Sequence, residues 1–193
     1  TLVYATYYGG GGDDGAYALA LGADGSAFVA GYTVSSNLPT TAGAFDRTLN
    51  NGTIVSESDA FVAHVSAAGS SLLYGTYLGG SDAESVNSIA LDATGRAVVT
   101  GYTRSLNYPT TPGAFDTTPN GNDDAFATKL SASGGGLVFS TFVGGNLFDY
   151  GNALALAGDG SVFVVGKTQS NNFPVTPGAF DTTYEEDNGE DAF

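Results

Sequence analysis

The segment Leu72-Leu-Tyr-Gly-Thr-Tyr-Leu-Gly-Gly80 has two further copies in this chain, Leu2-Val-Tyr-Ala-Thr-Tyr-Tyr-Gly-Gly10 before it and Leu137-Val-Phe-Ser-Thr-Phe-Val-Gly-Gly145 after it. The offsets are 70 and 65 residues, and two other markers keep the same steps: Gly31-Tyr-Thr, Gly101-Tyr-Thr and Gly166-Lys-Thr, and the Gly-Ala-Phe-Asp blocks ending at Asp46, Asp116 and Asp181. A fixed period of this kind is the signature of a repeat architecture. The Asp-Ala-Phe blocks at Asp59, Asp124 and Asp191 step by 65 and 67, so the variable length falls in a surface loop between Gly-Ala-Phe-Asp and Asp-Ala-Phe.

Each unit holds four short β-type runs with turn residues between them and no sustained 3.6-residue apolar period. In the second unit the runs are Ser88–Asp92, Ala97–Thr103, Ala125–Ser131 and Leu137–Val143. Ala-Asp24-Gly, Ala-Thr94-Gly and Gly-Asp159-Gly join the first two runs of each unit as tight hairpins. The fourth run is apolar on both faces, as in a sheet covered on each side by a neighbour. The first run alternates small and large residues, as in Ser88-Ile-Ala-Leu91, which suits sheets that converge on an axis. These features predict an all-β fold of β-propeller-type blades, about three four-stranded antiparallel meanders of 65–70 residues. The units run 11–80, 81–145 and, in part, 146–193, with residues 1–10 as a terminal strand that completes a blade.

The composition narrows the function. With 20 acidic residues against 5 basic ones the chain carries a net charge of −15, which opposes nucleic acid and anionic membranes. No stretch reaches the roughly 20 apolar residues of a membrane span. The absence of Cys removes disulfides, thiolate metal sites and Cys nucleophiles, and neither a nucleophile elbow nor a phosphate loop occurs. No enzyme is expected. Starting at Thr1 without any Met, the chain reads as a processed secreted protein or an excerpt of a longer one.

Tyr-Gly-Thr-Tyr-Leu-Gly-Gly-Ser at 74–81, Ile-Ala-Leu-Asp-Ala-Thr-Gly at 89–95, Val-Val-Thr-Gly-Tyr-Thr at 98–103, Tyr-Pro-Thr-Thr-Pro-Gly-Ala-Phe at 108–115 and Asp-Ala-Phe at 124–126 resemble the bacterial and archaeal SBBP (β-propeller) repeats. The resemblance spans essentially the whole chain. It implies an extracellular or cell-surface propeller-type scaffold and no particular activity, because fold does not dictate function.

Repetition also sorts the polar residues. His64 stands where Lys129 stands in the next unit, so an exposed strand position that accepts either residue explains it. Asp14, Glu84 and Asp149 share one position, as do Asp59, Asp124 and Asp191, and Asp46, Asp116 and Asp181. Recurrence favours carboxylates that accept backbone N–H bonds in turns. The competing reading is Ca²⁺, with Asp187, Glu190, Asp191, Asp123 and Asp124 as candidate ligands from the two densest acidic loops; no other cofactor is expected. Asn51, in Asn51-Gly-Thr53, is the one N-glycosylation sequon.

The two ends carry the functional expectation. Leu2–Tyr8 is a fourth-strand motif without a third strand before it, and Asp191-Ala-Phe193 opens a third strand without a fourth after it. An unpaired strand offers its backbone to another chain. Leu2, Val3, Tyr4, Tyr7, Tyr8, Asp191, Ala192 and Phe193 are therefore the candidate self-association residues. The expected function is structural: a protein that assembles with copies of itself, as filament or surface layer, by strand complementation. The alternative is a propeller-type binding module for carbohydrate or another cell-surface ligand.

Overall fold

A computed structural model describes residues 1–50, 57–185 and 189–193. The described residues are all-β and contain no helix, hence none long and apolar enough to cross a membrane. The first sheet is the antiparallel meander β1 (Asp14–Leu21), β2 (Ala27–Thr33), β3 (Asp59–Val65) and β4 (Leu72–Leu78). The second repeats it as β5 (Glu84–Leu91), β6 (Ala97–Thr103), β7 (Asp124–Leu130) and β8 (Leu137–Val143). In the third, β9 (Asp149–Leu156) and β10 (Val162–Thr168) pair, and the two residues of β11 (Asp191–Ala192) add to β10. It has three strands where the repeat predicts room for four. The three sheets do not close into a barrel or ring among the described residues.

Two backbone details explain recurring glycines. Gly25, Gly95 and Gly160 hold φ of 82°, 78° and 90° in the first hairpin of each sheet, a left-handed conformation that glycine adopts without strain. The first strand carries a bulge at Tyr17, Asn87 or Asn152, where the ladder skips one residue. Opposite each bulge stands Gly31, Gly101 or Gly166, where a Cβ would strike the carbonyl of residue 15, 85 or 150. The bulge also accounts for a difference from the sequence reading: β5 begins at Glu84, four residues before the predicted Ser88. The extra residue shifts the inside-outside alternation and hides the strand's start from a period-2 pattern.

The sheets stack face on face. One buried cluster joins Phe28, Ala30, Val62 and Tyr74 of the first sheet to Ile89, Val99, Phe126 and Phe142 of the second. The other face of the second sheet meets the third: the Asn87 amide donates to the Gly151 carbonyl (3.0 Å), and the Leu154 N–H donates to Ser88 Oγ (3.2 Å). Every sheet thus has two different faces. One face of the first and one of the third have no sheet against them among the described residues.

Candidate functional site

The loop between the second and third strands is what makes each fourth strand fit. In the first sheet the Thr41 N–H donates to the Gly75 carbonyl (3.2 Å) and the Tyr77 N–H to the Asp46 carbonyl (3.1 Å), while Thr76 Oγ1 accepts from the Asp46 N–H (2.9 Å). In the second sheet Thr111, Ser140, Phe142, Asp116 and Thr141 repeat these bonds at 3.0, 3.1 and 2.8 Å. The fourth strand therefore lies in a slot, bonded on one edge by the third strand and on the other by this loop. An aromatic side chain locks it: Phe142 packs 5.9 Å from Tyr108, which stacks on Phe126 at 4.7 Å. Tyr77 takes the same place beside Leu38 and Phe61, its hydroxyl donating to the Ser35 carbonyl at 2.6 Å.

The third sheet has the slot and its two walls. A groove of about 500 Å³ runs between β11 and the loop that carries Thr176 and Asp181, the counterparts of Thr41 and Asp46. Phe173 and Phe193, which correspond to Tyr108 and Phe126, stack at 4.4 Å in its lining. The ladder to β10 extends beyond β11, since Phe193 and Gly166 exchange backbone hydrogen bonds at 3.1 and 3.2 Å.

The segment Leu2–Tyr8 forms no ladder with any described strand. Leu2, Val3 and Tyr7 are exposed, Tyr7 completely. Tyr4 and Tyr8 are half-buried on their own first sheet. The Tyr4 ring lies on Gly69 as the Tyr74 ring lies on Gly134, and Tyr8 packs 5.3 Å from Phe61 with its hydroxyl donating to the Pro39 carbonyl at 2.7 Å. Alternation along an extended chain turns these two rings inward and leaves Tyr7 free. The Thr6 hydroxyl donates to the Tyr7 carbonyl (3.1 Å), the local bond that Thr76 and Thr141 make to Tyr77 and Phe142. Two of the segment's contacts are thus those of a fourth strand.

The recurring carboxylates hold the turns. Asp14, Glu84 and Asp149 each accept the N–H of the second glycine of the preceding Gly-Gly pair, at 2.7, 2.9 and 2.7 Å. Asp46, Asp116 and Asp181 each accept the N–H two residues on, at 2.9 Å. Asp59 and Asp124 accept the Asn50 and Asn120 N–H at 3.0 Å, and Asp191 accepts the Glu185 N–H at 3.0 Å.

The Ca²⁺ candidates have other partners. Asp123 takes Arg104 Nε at 2.9 Å and the Tyr150 hydroxyl at 2.5 Å, and Glu190 takes Lys167 Nζ at 2.7 Å. Asp124 accepts Asn120 and Gly121 N–H groups. Asp187 and Asn51 lie outside the described residues. Among the described residues no three His, Cys, Asp or Glu side chains converge on a metal-sized site.

His64 departs from the expectation of an exposed position. Its ring stacks on Phe28 with centroids 3.7 Å apart and its Nε2 lies 2.8 Å from Ser26 Oγ. Partial burial pulls its pKa below the ordinary His value, Asp24 opposing. Lys129, the counterpart, reaches Asp92 at 2.6 Å. The residues facing the position changed with it: Gly22 stands where Asp92 does, and Ser26 where Arg96 does.

No protein-family model matches the chain, and no curated protein matches it.

Proposed function

We propose that the chain is a structural, extracellular building block that assembles head to tail, each sheet serving as a propeller-type blade and Leu2–Tyr8 of one copy entering the groove of the next. One observation carries this reading: the groove between β11 and Thr176–Asp181 has the walls that hold β4 and β8, and Leu2–Tyr8 has the sequence of the strands they hold. In the complex Thr6 bonds Asp181 as Thr76 bonds Asp46, and Tyr7 joins Phe173 and Phe193 as Phe142 joins Tyr108 and Phe126. Main-chain bonds supply affinity and the aromatic pocket supplies register, as in other strand-addition complexes.

The exposed sheet faces support the same arrangement. Phe163 and Val165 are exposed on the third sheet, whereas their counterparts Phe28 and Ala30 are buried against the second. Leu19 and Leu21 are exposed on the first sheet, whereas their counterparts Ile89 and Leu91 are buried and partly buried against it. Stacking the third sheet of one copy on the first of another covers both faces in the packing that already joins neighbouring sheets. A head-to-tail contact of this kind closes into a ring or runs on as a filament, depending on its rotation.

The test is sedimentation and negative-stain microscopy of the 193-residue chain beside a chain lacking residues 1–8. The full chain is expected to form rings or filaments. The shortened chain is expected to stay monomeric and to bind an added Leu2–Gly10 peptide. Equal assembly by both chains would overturn strand donation, and a monomeric full chain that ignores the peptide would overturn self-assembly.

A further inference from the structure

A buried pair of carboxyl groups occurs at each junction between sheets. The Asp59 and Glu84 carboxyls both lie beside Gly79, where a Cβ would sit 2.8 Å from Asp59 Oδ1 and 2.5 Å from Glu84 Oε2. Asp124 and Asp149 lie beside Gly144 alike, with Asp124 Oδ1 at 2.5 Å and Asp149 Oδ2 at 2.9 Å from the same point. All four residues are buried. Asp59 Oδ1, Asp124 Oδ1 and Asp149 Oδ1 are buried without a hydrogen-bond partner among the described residues.

The charged neighbours do not neutralise these pairs. Asp59 faces Glu84 and Asp46, with the Tyr77 hydroxyl nearby; Glu84 faces the Tyr102 and Tyr108 hydroxyls; Asp124 faces Asp149 and Asp116. Arg104, which lies beside Tyr102, is bonded to Asp123. Two carboxylates that share a site cannot both ionise cheaply, so such a pair keeps a proton. Burial first, and the neighbouring carboxylate for Asp59, push Asp59 and Glu84 up to about 7, and burial raises Asp124 as well.

The two outer ends of the stack carry half a pair each. The three atoms nearest a Cβ on Gly9 would all belong to Asp14, with Oδ2 at 2.6 Å. Asp191 stands at the position of Asp59 and Asp124. Asp14 has the Thr33 and Ser35 hydroxyls on its oxygens and Asp13, Tyr8, Tyr32 and Tyr77 around it. Around Asp191 stand Asp181, Tyr184 and Glu185 of the loop and Lys167 of β10, whose ammonium is bonded to Glu190. The junctions also share a backbone bond: the N–H of Glu84 donates to the Ser58 carbonyl and that of Asp149 to the Asp123 carbonyl, both at 2.7 Å. The same bond in a complex would join Asp14 N–H to the carbonyl of Glu190.

We propose that docking brings Asp14 of one copy against Asp191 of another and takes up one proton from solvent, held between the two carboxyl groups, so that mild acid promotes assembly. This rests on the strand-docking reading. No covalent bond changes; the proton is the whole stoichiometry.

The experiment measures the association constant of the 193-residue chain by sedimentation from pH 8 to pH 5 at constant ionic strength, with Asp14→Asn, Asp191→Asn and Asp14→Glu. Uptake of one proton makes association about tenfold stronger per pH unit fallen, over the range in which the docked pair holds the proton and the separate chains do not. Either Asn variant should associate at pH 8 about as well as the parent does in acid, with the pH slope gone, and Asp14→Glu, a copy of Glu84, should keep the slope. Asp191→Asn serves alone if Asp14→Asn, which touches the turn at Gly10, fails to fold. General relief of the −15 charge would act on all variants alike, so an unchanged slope in the Asn variants that still assemble overturns the proton link and leaves strand docking standing. A chain that does not associate at any pH, and whose shortened form ignores the Leu2–Gly10 peptide, overturns both.

Discussion

Phe28 and Phe163 occupy the same position in their sheets, and Phe28 is 3% exposed while Phe163 is 62% exposed. The second sheet covers one, and no sheet covers the other among the described residues. Replacing Phe28 by Ala should cost about 3–5 kcal/mol, the range for a large aromatic side chain removed from a core. Phe163→Asp should change the stability of a single copy by less than about 0.5 kcal/mol, as at other surface positions, yet abolish assembly. Denaturant melts and sedimentation of the two variants separate these outcomes; a Phe163→Asp chain that still assembles would show that this face is not an interface.

Stability should rise as the pH falls from 8 towards 5. Asp59 and Glu84 titrate near 7 in the folded chain and near 4 when unfolded, so the folded state holds the extra proton between those values. Their contribution is complete below about pH 4 and is lost as the pH climbs through about 7. Thermal melts of the chain lacking residues 1–8, which removes assembly from the measurement, should follow this trend. Asp59→Asn should flatten it and raise the melting temperature at pH 8, because the amide nitrogen can stand at the unpartnered Oδ1 position and donate to Glu84 at every pH while the amide oxygen keeps the Asn50 N–H.

Replacing His64 by Lys is neutral if the position is exposed and costly if the stack on Phe28 matters. The geometry favours the second outcome: an aromatic pair contributes about 0.5–1.5 kcal/mol and a hydrogen bond about 1 kcal/mol, and Gly22 gives the new ammonium no carboxylate to replace Asp92. A loss of about 1–2 kcal/mol in a denaturant melt is expected. A loss below 0.5 kcal/mol would restore the exposed-position reading.

Chelator should leave the melting temperature unchanged. A metal bound only to the folded state would raise it by mass action, but the carboxylates of Asp123, Asp124, Glu190 and Asp191 already accept donors from the protein itself. A fall of several degrees in EDTA that added Ca²⁺ reverses would bring the metal back, with Asp187 the first residue to replace.

Much of this architecture is legible in the order of residues, because repetition makes a sequence its own control. The limits of β6 and β8 read directly from apolar runs bounded by Gly, Thr and Ser. The start of β5 did not, since a bulge at Asn87 reverses the inside-outside alternation that reveals a strand. The turn role of the recurring carboxylates was readable from recurrence alone. The groove in the third sheet was not: its second wall is a loop, and nothing in Thr176–Asp181 announces that the matching loops of the other two sheets bond a strand through their backbone. The bonds of Thr41, Thr111, Asp46 and Asp116 to β4 and β8 were the missing signal.

By itself the sequence determined what is local and periodic: three meander units, their hairpins, and two end segments that look like halves of one sheet. Strand pairing between neighbours in the chain depends on turn chemistry and side-chain alternation, and both are written in the order of residues. Only the tertiary structure decided which residues meet across units. Asp59 and Glu84 are 25 positions apart, and their separate motifs say nothing of a shared buried site beside Gly79. Tyr8 and Tyr7 are neighbours of one type, yet one packs on Phe61 and the other is bare, because an extended chain on a sheet surface turns successive side chains to opposite sides. Burial, and with it the raised pKa of Asp59 and Glu84 and the exposure of Phe163, belongs to the assembled sheets and not to any one strand.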